Sequence, residues 1–149
     1  MKRTLIHTLT FLLVMGSAQA LAEQHTVKMK NSGNDGSMVF EPGYLEASPG
    51  DTVKFVATDP AHNSVSEAVP EGAEDWSGSI NEEITVTLSE EGVYVYKCVP
   101  HATLNMAGVI SVGKSTNYDA AKAAVEKLSN AAAANQGRLT GYFDNVAKP

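Results

Sequence analysis

The only cysteine of this 149-residue chain lies in a short segment that also holds a histidine and a methionine. In the stretch KCVPHATLNMAG, Lys97–Gly108, two residues separate Cys98 from His101 and four separate His101 from Met106. A further histidine, His62, follows Asp-Pro-Ala at the end of an earlier predicted strand. Two imidazoles and a thiolate in a plane, with a thioether as a weak axial contact, form the donor set that suits copper in an electron-transfer site. These four side chains are therefore the candidate metal ligands.

The spacing along this segment explains how the donors can meet. Cys98 ends a predicted strand, Pro100 stiffens the turn after it, and the following residues can return Met106 to the same point. His62 has to come from a neighbouring strand, so the fold rather than the metal sets the geometry, which suits electron transfer. Taken singly, a buried cysteine, a histidine and a loop methionine are ordinary packing or surface residues. Their combination favours a metal site.

The first 22 residues predict a secretory signal peptide. They join a basic start, Lys2 and Arg3, to an apolar run over residues 5–14 and the small-residue sequence Ala-Leu-Ala at residues 20–22. No later run approaches the roughly 20 apolar residues that a membrane helix needs. We expect the mature protein to begin near Glu23 and to reside in the periplasm, where an unoccupied thiol is prone to oxidation.

Between Glu23 and Gly113 the sequence alternates short apolar runs with Gly, Pro and Asn turns, a pattern that predicts β-strands. The predicted strands cover residues 25–30, 38–40, 44–46, 52–58, 84–88, 93–98 and 107–112, and residues 59–81 are predicted to be mostly loop. Seven or eight short strands at this spacing indicate a two-sheet antiparallel sandwich. His25 falls within the first strand and is interpreted as structural or exposed.

The spacing of the apolar residues changes after Gly113. Apolar side chains at helical spacing predict one helix over residues 118–130 and a second from about residue 131 to 143. We expect this extension, residues 114–149, to pack on the sandwich domain, residues 23–113, because its single apolar stripe does not suffice for a second core.

Charge limits the classes of partner. Because Lys2 and Arg3 leave with the signal peptide, the mature chain keeps 9 basic and 17 acidic side chains, a net charge of −8. Binding to nucleic acid or to an anionic membrane surface is therefore disfavoured. We expect a monomer that does not insert in a membrane.

Four motifs occur in order along the predicted sandwich. They are Met-Val-Phe-Glu-Pro from residue 38, Pro-Gly-Asp-Thr-Val from residue 49, the pair His62-Asn63, and Cys-Val-Pro-His from residue 98 with Met106 behind it. Together they resemble the pseudoazurins, which are type 1 blue copper proteins of the cupredoxin family. The resemblance runs from about residue 27 to residue 112, and a helical C-terminal extension matches pseudoazurins better than plastocyanins.

The resemblance implies a cupredoxin-like Greek-key sandwich and an electron carrier, not an enzyme, with one type 1 copper that cycles between Cu(I) and Cu(II). It implies that His62, Cys98 and His101 are equatorial ligands and that Met106 is the axial ligand. It also implies that Asn63 supplies a hydrogen bond near the thiolate and ties the two ligand loops. The alternative for Asn63 is an ordinary turn residue.

In cupredoxins the electron enters or leaves through an exposed histidine within an apolar patch, which implies this role for His101. Met38, Pro42, Leu104 and Ala107 offer apolar surface around it. For Met38 and Leu104 the alternative interpretation is core packing.

The expected partners are redox proteins, a c-type cytochrome or a copper nitrite reductase. Pseudoazurins usually ring the patch with lysines that dock an acidic partner, but here only Lys97 lies next to the ligand loop. Acidic residues crowd the other side, namely Glu67, Glu71, Glu74 and Asp75. The sequence thus predicts a partner whose docking surface is basic or nearly neutral.

Two other functions use the same residues. A periplasmic copper or zinc carrier without a redox role would need the same four ligands, although carriers favour exposed sites. A Cys-His hydrolase would need a polarised thiolate near a helix N-terminus and an oxyanion hole, whereas Cys98 follows a predicted strand. A reductase or multicopper oxidase would need more histidines than the four present.

Overall fold

The computed structural model describes residues 21–149. The predicted signal peptide, residues 1–22, lies outside the described residues apart from its last two positions. Along the described part of the chain, no helix is both long enough and apolar enough to cross a membrane.

Eight strands and two α-helices make up the regular structure of residues 21–149. The strands are β1 (Gln24–Gly33), β2 (Gly36–Glu41), β3 (Tyr44–Ala47), β4 (Thr52–Ala57), β5 (Val65–Ala68), β6 (Ile84–Thr87), β7 (Gly92–Lys97) and β8 (Ala107–Val112). The helices are α1 (Tyr118–Ala131) and α2 (Gln136–Phe143). The strands form two four-stranded sheets, in the orders β2-β1-β4-β6 and β3-β8-β7-β5. The predicted β-sandwich with a helical C-terminal extension is confirmed.

The predicted antiparallel arrangement is wrong at two places. β1 pairs with β4 in parallel, and β3 pairs with β8 in parallel, whereas the other strand pairs are antiparallel. A parallel pair needs a crossover rather than a tight turn between its strands. Short runs with turn signals do not reveal which strands pair across such a distance, so the sequence alone suggested hairpins throughout.

A strand interrupts the predicted loop of residues 59–81. β5 lies at the edge of its sheet, where β7 is its neighbouring strand and Val65 also forms an isolated bridge with Ser77, and all four of its residues are half-buried. An edge strand with half-buried side chains needs no clear apolar alternation. The polar residues Ser66 and Glu67 break that alternation, so the sequence pattern did not predict this strand.

The connection between the helices is longer than predicted. α1 ends at Ala131, and α2 begins at Gln136 rather than near residue 131. Ala132 is extended and Asn135 adopts a left-handed conformation, so residues 132–135 leave the helical path. The freed backbone N–H of Ala133 donates to the carbonyl of Thr103 at 2.8 Å. This contact draws the connection onto the segment between His101 and Met106.

β7 separates two hydrophobic clusters because its side chains alternate. Tyr94, Tyr96 and Cys98 belong to the cluster between the sheets. Val93 and Val95 belong to the cluster between this sheet and the two helices. Burial on both faces explains the continuous apolar run of the strand. Cys98 therefore enters the inter-sheet core directly after the strand ends.

Asp51 fastens the start of β1. Its Oδ1 accepts the backbone N–H of Glu23 at 2.8 Å, and its Oδ2 lies 2.9 Å from the backbone nitrogen of Ser48 and 3.0 Å from His25 Nε2. The backbone hydrogen bonds from Glu23 and Ser48, followed by that from His25, lower the pKa of Asp51 from 3.8 to about 2. His25 thus has a structural role at this carboxylate.

Asp51→Asn is expected to reduce the free energy of unfolding at neutral pH and to flatten its dependence on acid. Because the folded pKa lies below the unfolded value, the stabilisation is present above about pH 4 and is lost as pH falls towards about 2. Urea unfolding at a series of pH values measures this, with Asp144→Asn, an exposed site after α2, as the matched control. Equal acid slopes for the Asp51 variant and the wild type would contradict the role assigned to this carboxylate.

Candidate metal centre

Cys98 is fixed by the strand that precedes it and by Met106. Its backbone N–H donates to the Met106 carbonyl at 2.9 Å, just beyond the β7–β8 ladder. Its side chain is 0% exposed. The thiol therefore lies at the end of the sandwich, between the sheets, with no disulfide partner in a chain of one cysteine.

The loop after Cys98 folds back on itself to return Met106 to the same place. A 3₁₀ turn covers Ala102–Leu104, and Asn105 then adopts a left-handed conformation with φ 56°. The backbone N–H of Met106 donates to the His101 carbonyl at 3.3 Å. The Met106 side chain is 0% exposed and lies in the same hydrophobic cluster as Cys98. The compact spacing seen in the sequence therefore brings the thioether back beside the thiol.

His62 arrives from the other sheet, on the loop after β4. Ala61, at φ 72°, turns the chain, and its backbone N–H donates to Asn81 Oδ1 at 2.6 Å. Asn81 returns its own backbone N–H to the His62 carbonyl at 2.8 Å. The imidazole is 0% exposed, so this double contact presents a fully buried ring to the end of the sandwich.

Asn31 orients the His62 ring and was missed in the sequence. Its Oδ1 lies 2.9 Å from His62 Nε2. Since an amide oxygen only accepts hydrogen bonds, Nε2 carries the proton and Nδ1 keeps a free lone pair. Asn31 lies in β1 directly after the predicted strand of residues 25–30, and nothing local in the sequence distinguishes it.

Two imidazole nitrogens and the thiol sulfur converge on one point. His62 Nδ1 lies 3.1 Å from His101 Nδ1 and 3.7 Å from Cys98 Sγ, and His101 Nδ1 lies 3.5 Å from Sγ. The circle through these three atoms has a radius of about 2.0 Å, close to metal–nitrogen bonds of about 2.0–2.1 Å and metal–thiolate bonds of about 2.3 Å. A first-row metal ion therefore fits among them without rearrangement of the three side chains.

The pKa shifts of His62 and Cys98 describe a site in which the thiol and the imidazole do not form an ion pair. Burial, with a smaller contribution from the charge of His101, lowers the pKa of His62 and keeps its imidazole neutral. Burial raises the pKa of Cys98, opposed by the backbone N–H groups of Asn63 and His101 that face the sulfur. Without a metal the site thus holds a protonated thiol beside the neutral imidazole of His62, and binding of a metal displaces the thiol proton.

Asn63 joins the two ligand loops. Its Oδ1 accepts the backbone N–H of Val99 at 2.9 Å, and its Nδ2 donates to the Gly78 carbonyl at 3.0 Å. The side chain is thus fully engaged with backbone groups, and it is the backbone N–H of Asn63 that faces the thiol. The Asn63 side chain thus joins the loop of His62 to the residue directly after Cys98.

His101 differs from the other three candidate ligands in exposure. It is half-buried, whereas His62, Cys98 and Met106 are each 0% exposed. Apolar residues at this end of the sandwich are exposed or half-buried, namely Met38, Pro42, Val99, Pro100 and Leu104. Val99, at 52% exposed, was not included in the predicted patch. We call these five residues the apolar patch.

Ala107 does not belong to the apolar patch. It is 3% exposed and lies in the cluster beneath the helices. The prediction failed because successive residues of a strand face opposite sides. Met106 enters the inter-sheet core, and Ala107 therefore faces the helical extension.

The charges near the apolar patch also differ from the prediction. Lys97 pairs with Glu67, which also pairs with Lys127. Glu71 lines a cavity with Glu90 and Glu91, just before the start of β7. Cys98 follows the other end of β7. A strand of six residues is about 20 Å long at about 3.3 Å per residue, so about 20 Å separate Cys98 from the start of β7. This acidic end of the sandwich therefore lies opposite His101 rather than beside it.

Comparisons with known proteins agree with this geometry. Residues 27–113 match the family of copper binding proteins described as the plastocyanin/azurin family. A pseudoazurin from Paracoccus pantotrophus is 45% identical over 111 residues, which cover 72% of this chain and 77% of that protein. The crystal structure of pseudoazurin from Hyphomicrobium denitrificans is similar with a TM-score of 0.71 at 36% identity, covering 84% of this chain and 99% of that one. The pseudoazurin from Methylobacterium extorquens AM1 gives 0.70 at 35% identity, covering 81% and 97%.

Proposed function

Because this chain belongs to the plastocyanin/azurin family of copper-binding proteins, and within it to the pseudoazurins, we propose that His62, Cys98, His101 and Met106 bind its single type 1 copper. The observation that carries this proposal is the convergence of two imidazole nitrogens and one thiol, each pair within 3.7 Å, next to a buried methionine. The protein is an electron carrier in this proposal and performs no reaction on a bound substrate.

Copper bound at this site supplies one-electron chemistry between Cu(I) and Cu(II). The chain's contribution is to hold the ligand atoms still while the charge changes. Asn31 fixes the tautomer and rotation of His62, and Asn63 ties the backbone after Cys98 to the loop of His62. The aromatic rings of Phe40, Phe55 and Tyr96 pack edge to face in the same core and exclude water from beneath the site. Such outer support orients metal ligands.

The electron enters or leaves through His101 in this proposal. Of the four candidate ligand side chains, only His101 is not fully buried. In this proposal the apolar patch is the contact surface around it. A partner that covers this patch excludes water and comes close to the imidazole edge. The expected location is the periplasm, supported by the basic and apolar leader in residues 1–22.

The proposed partners are redox proteins, a c-type cytochrome or a copper nitrite reductase. The net charge of −8 favours encounter with a basic partner, but the acidic end of the sandwich lies about 20 Å from Cys98. The screening length is about 30 Å at 0.01 M salt and about 10 Å at 0.1 M. The rate of transfer to a basic c-type cytochrome is therefore expected to fall as salt rises at low ionic strength and to level off near 0.1 M.

Glu67→Gln tests the charge of the surface near the ligand loop, where Glu67 pairs with Lys97. The change removes the carboxylate that pairs with Lys97, so transfer to an acidic nitrite reductase should become faster at 0.1 M salt, measured by stopped flow. Glu71→Gln, which removes an equal charge at the far end, is the matched control and should change that rate little. If wild-type transfer to the acidic acceptor falls as salt is added, the region around His101 is already basic and the proposed partner charge is wrong.

A copper or zinc carrier remains the second candidate because it would use the same ligands. The complete burial of three of the four side chains favours a closed site that exchanges its metal slowly. Reductive titration of the copper-loaded protein separates the two functions. An electron carrier takes up one electron per chain, reoxidises to the same spectrum and keeps its copper against a chelator. Loss of copper on reduction, or failure to reoxidise, would contradict the electron-transfer function.

A further inference from the structure

The helical extension reaches the metal centre through one arginine. Arg138, on α2, places its guanidinium between strand β2 and the loop before Met106, two segments that are distant in sequence. Nη2 donates to the carbonyls of Leu104 and Asn105, each at 2.9 Å, and to the carbonyl of Met38 at 2.8 Å. Nη1 donates to the carbonyl of Ser37 at 2.8 Å. One side chain therefore joins the loop before Met106 to strand β2 at Ser37 and Met38.

The connection between α1 and α2 adds contacts to the same loop. Ala133 donates its backbone N–H to the Thr103 carbonyl, and Asn135 Nδ2 donates to the Leu104 carbonyl at 3.1 Å. In return, Asn105 Nδ2 donates to the Asn135 carbonyl at 2.8 Å. The 3₁₀ turn and Asn105, which lead into Met106, thus receive much of their hydrogen bonding from the extension.

Strand β2 and the loop before Met106 each contain a backbone conformation that needs support from other parts of the fold. Met38 has φ 49° and Asn105 has φ 56°, and side chains other than glycine adopt this left-handed region at a cost. Such residues persist when their surroundings hold them firmly. Arg138 donates to the carbonyls of Met38 and Asn105 themselves. Its contacts therefore include the carbonyls of the positive-φ residue in each of these two segments.

Arginine suits this task better than lysine. A guanidinium is a planar fork with five N–H donors, so it can serve several carbonyls in fixed directions, whereas an ammonium is a compact charge on a flexible stem. Within residues 21–149 Arg138 forms no ion pair, and its partners are backbone carbonyls. The side chain thus acts as a brace between two backbone segments.

We propose that Arg138 is a positioning residue of the metal centre, which holds the loop of His101 and Met106 against strand β2 at Met38. The helical extension then serves to set the place of Met106 and the surroundings of His101. The part that concerns copper rests on the proposed function. The part that concerns the loop can be tested on the metal-free protein.

The first test is amide hydrogen exchange of the metal-free protein. In Arg138→Met, exchange at the Met106 amide, which donates to the His101 carbonyl, should be at least about tenfold faster because the loop opens more often. Amides in the middle of β7 should exchange as in the wild type. Lys122→Met, on α1, removes an equal charge from the same extension without touching the loop and should leave Met106 unchanged. Arg138→Lys keeps the charge and the stem and should recover only part of the protection.

The second test uses the copper-loaded protein. The intensity ratio of the thiolate-to-copper absorption bands reports the relation of the axial ligand to the plane, so Arg138→Met should change this ratio and Lys122→Met should not. Wild-type exchange at Met106 in both Arg138 variants, or an equal acceleration in Lys122→Met, would overturn the proposal. If the wild type bound copper without colour, the proposed function would fail while the exchange result would still decide the role of Arg138 in the loop.

Discussion

Replacing Cys98 with serine is expected to abolish the intense visible absorption of the copper-loaded protein while leaving the sandwich folded. The absorption requires charge transfer from a thiolate to copper, and a serine hydroxyl is neither a soft donor nor readily ionised. Cys98 is 0% exposed, so the new hydroxyl is buried at a cost of about 1–3 kcal/mol. A domain with about 5–15 kcal/mol of stability tolerates this cost. Absorption and circular dichroism of the purified variant measure the two outcomes.

A matched control for this variant lies on the strand that precedes Cys98. Val95→Thr introduces a buried hydroxyl into β7, but Val95 faces the helices rather than the inter-sheet core. This variant should lose a similar amount of stability and keep its colour. A Cys98→Ser protein that retains the colour would show that the sulfur is not a ligand. A variant that unfolds completely would show that the core depends on Cys98 more than its packing indicates.

Removal of copper is expected to lower the unfolding temperature strongly without unfolding the protein at 25 °C. The candidate ligands come from two loops on different sheets, so a bound ion joins segments that otherwise meet only through weaker contacts such as the Asn63 tie. A ligand at 1,000 times its Kd stabilises the folded state by about 4 kcal/mol. For a domain of this size that corresponds to a shift of roughly 10–20 °C.

Scanning calorimetry of the metal-free and copper-loaded proteins measures this difference. The metal-free form should still unfold in one cooperative transition because the two hydrophobic clusters do not depend on the metal. In Cys98→Ser the difference between the two forms should largely disappear. Equal unfolding temperatures for the two wild-type forms would mean that copper binds elsewhere or only weakly.

The parts of the site that lie close together in sequence were the easiest to predict. Cys98, His101 and Met106 share one loop, and their spacing already implied a common point, which the structure shows as a compact turn held by six backbone hydrogen bonds within residues 98–106. His62 could be added because it follows a predicted strand. The copper chemistry followed from the types of donor atom rather than from the fold.

The supporting residues could not be predicted because their partners are distant in sequence. Asn31 contacts a histidine 31 positions away, and Arg138 contacts a carbonyl 101 positions away. Neither leaves a local pattern, since each is a single polar residue, Asn31 in β1 and Arg138 in α2. The parallel pairing of β1 with β4 was hidden for the same reason.

Charge and surface were predicted less well than chemistry. Net charge gives no position, and the acidic residues around Glu71 proved to lie at the opposite end from His101. The assignment of Ala107 to the surface ignored the alternation of a strand that is covered on both faces. Both errors concern the position of a side chain in the folded sandwich. That position depends on which sheet or helix covers each face of a strand, and the local sequence does not show this.

The most direct test of the central claim is the visible absorption spectrum of the oxidised protein loaded with one copper per chain, with the stoichiometry measured by metal analysis. Two imidazole nitrogens and a thiolate around one copper predict an intense blue or green colour that disappears on reduction and returns on reoxidation. A protein that binds one copper per chain and stays colourless would contradict the assignment of Cys98 as a ligand and, with it, the type 1 copper centre.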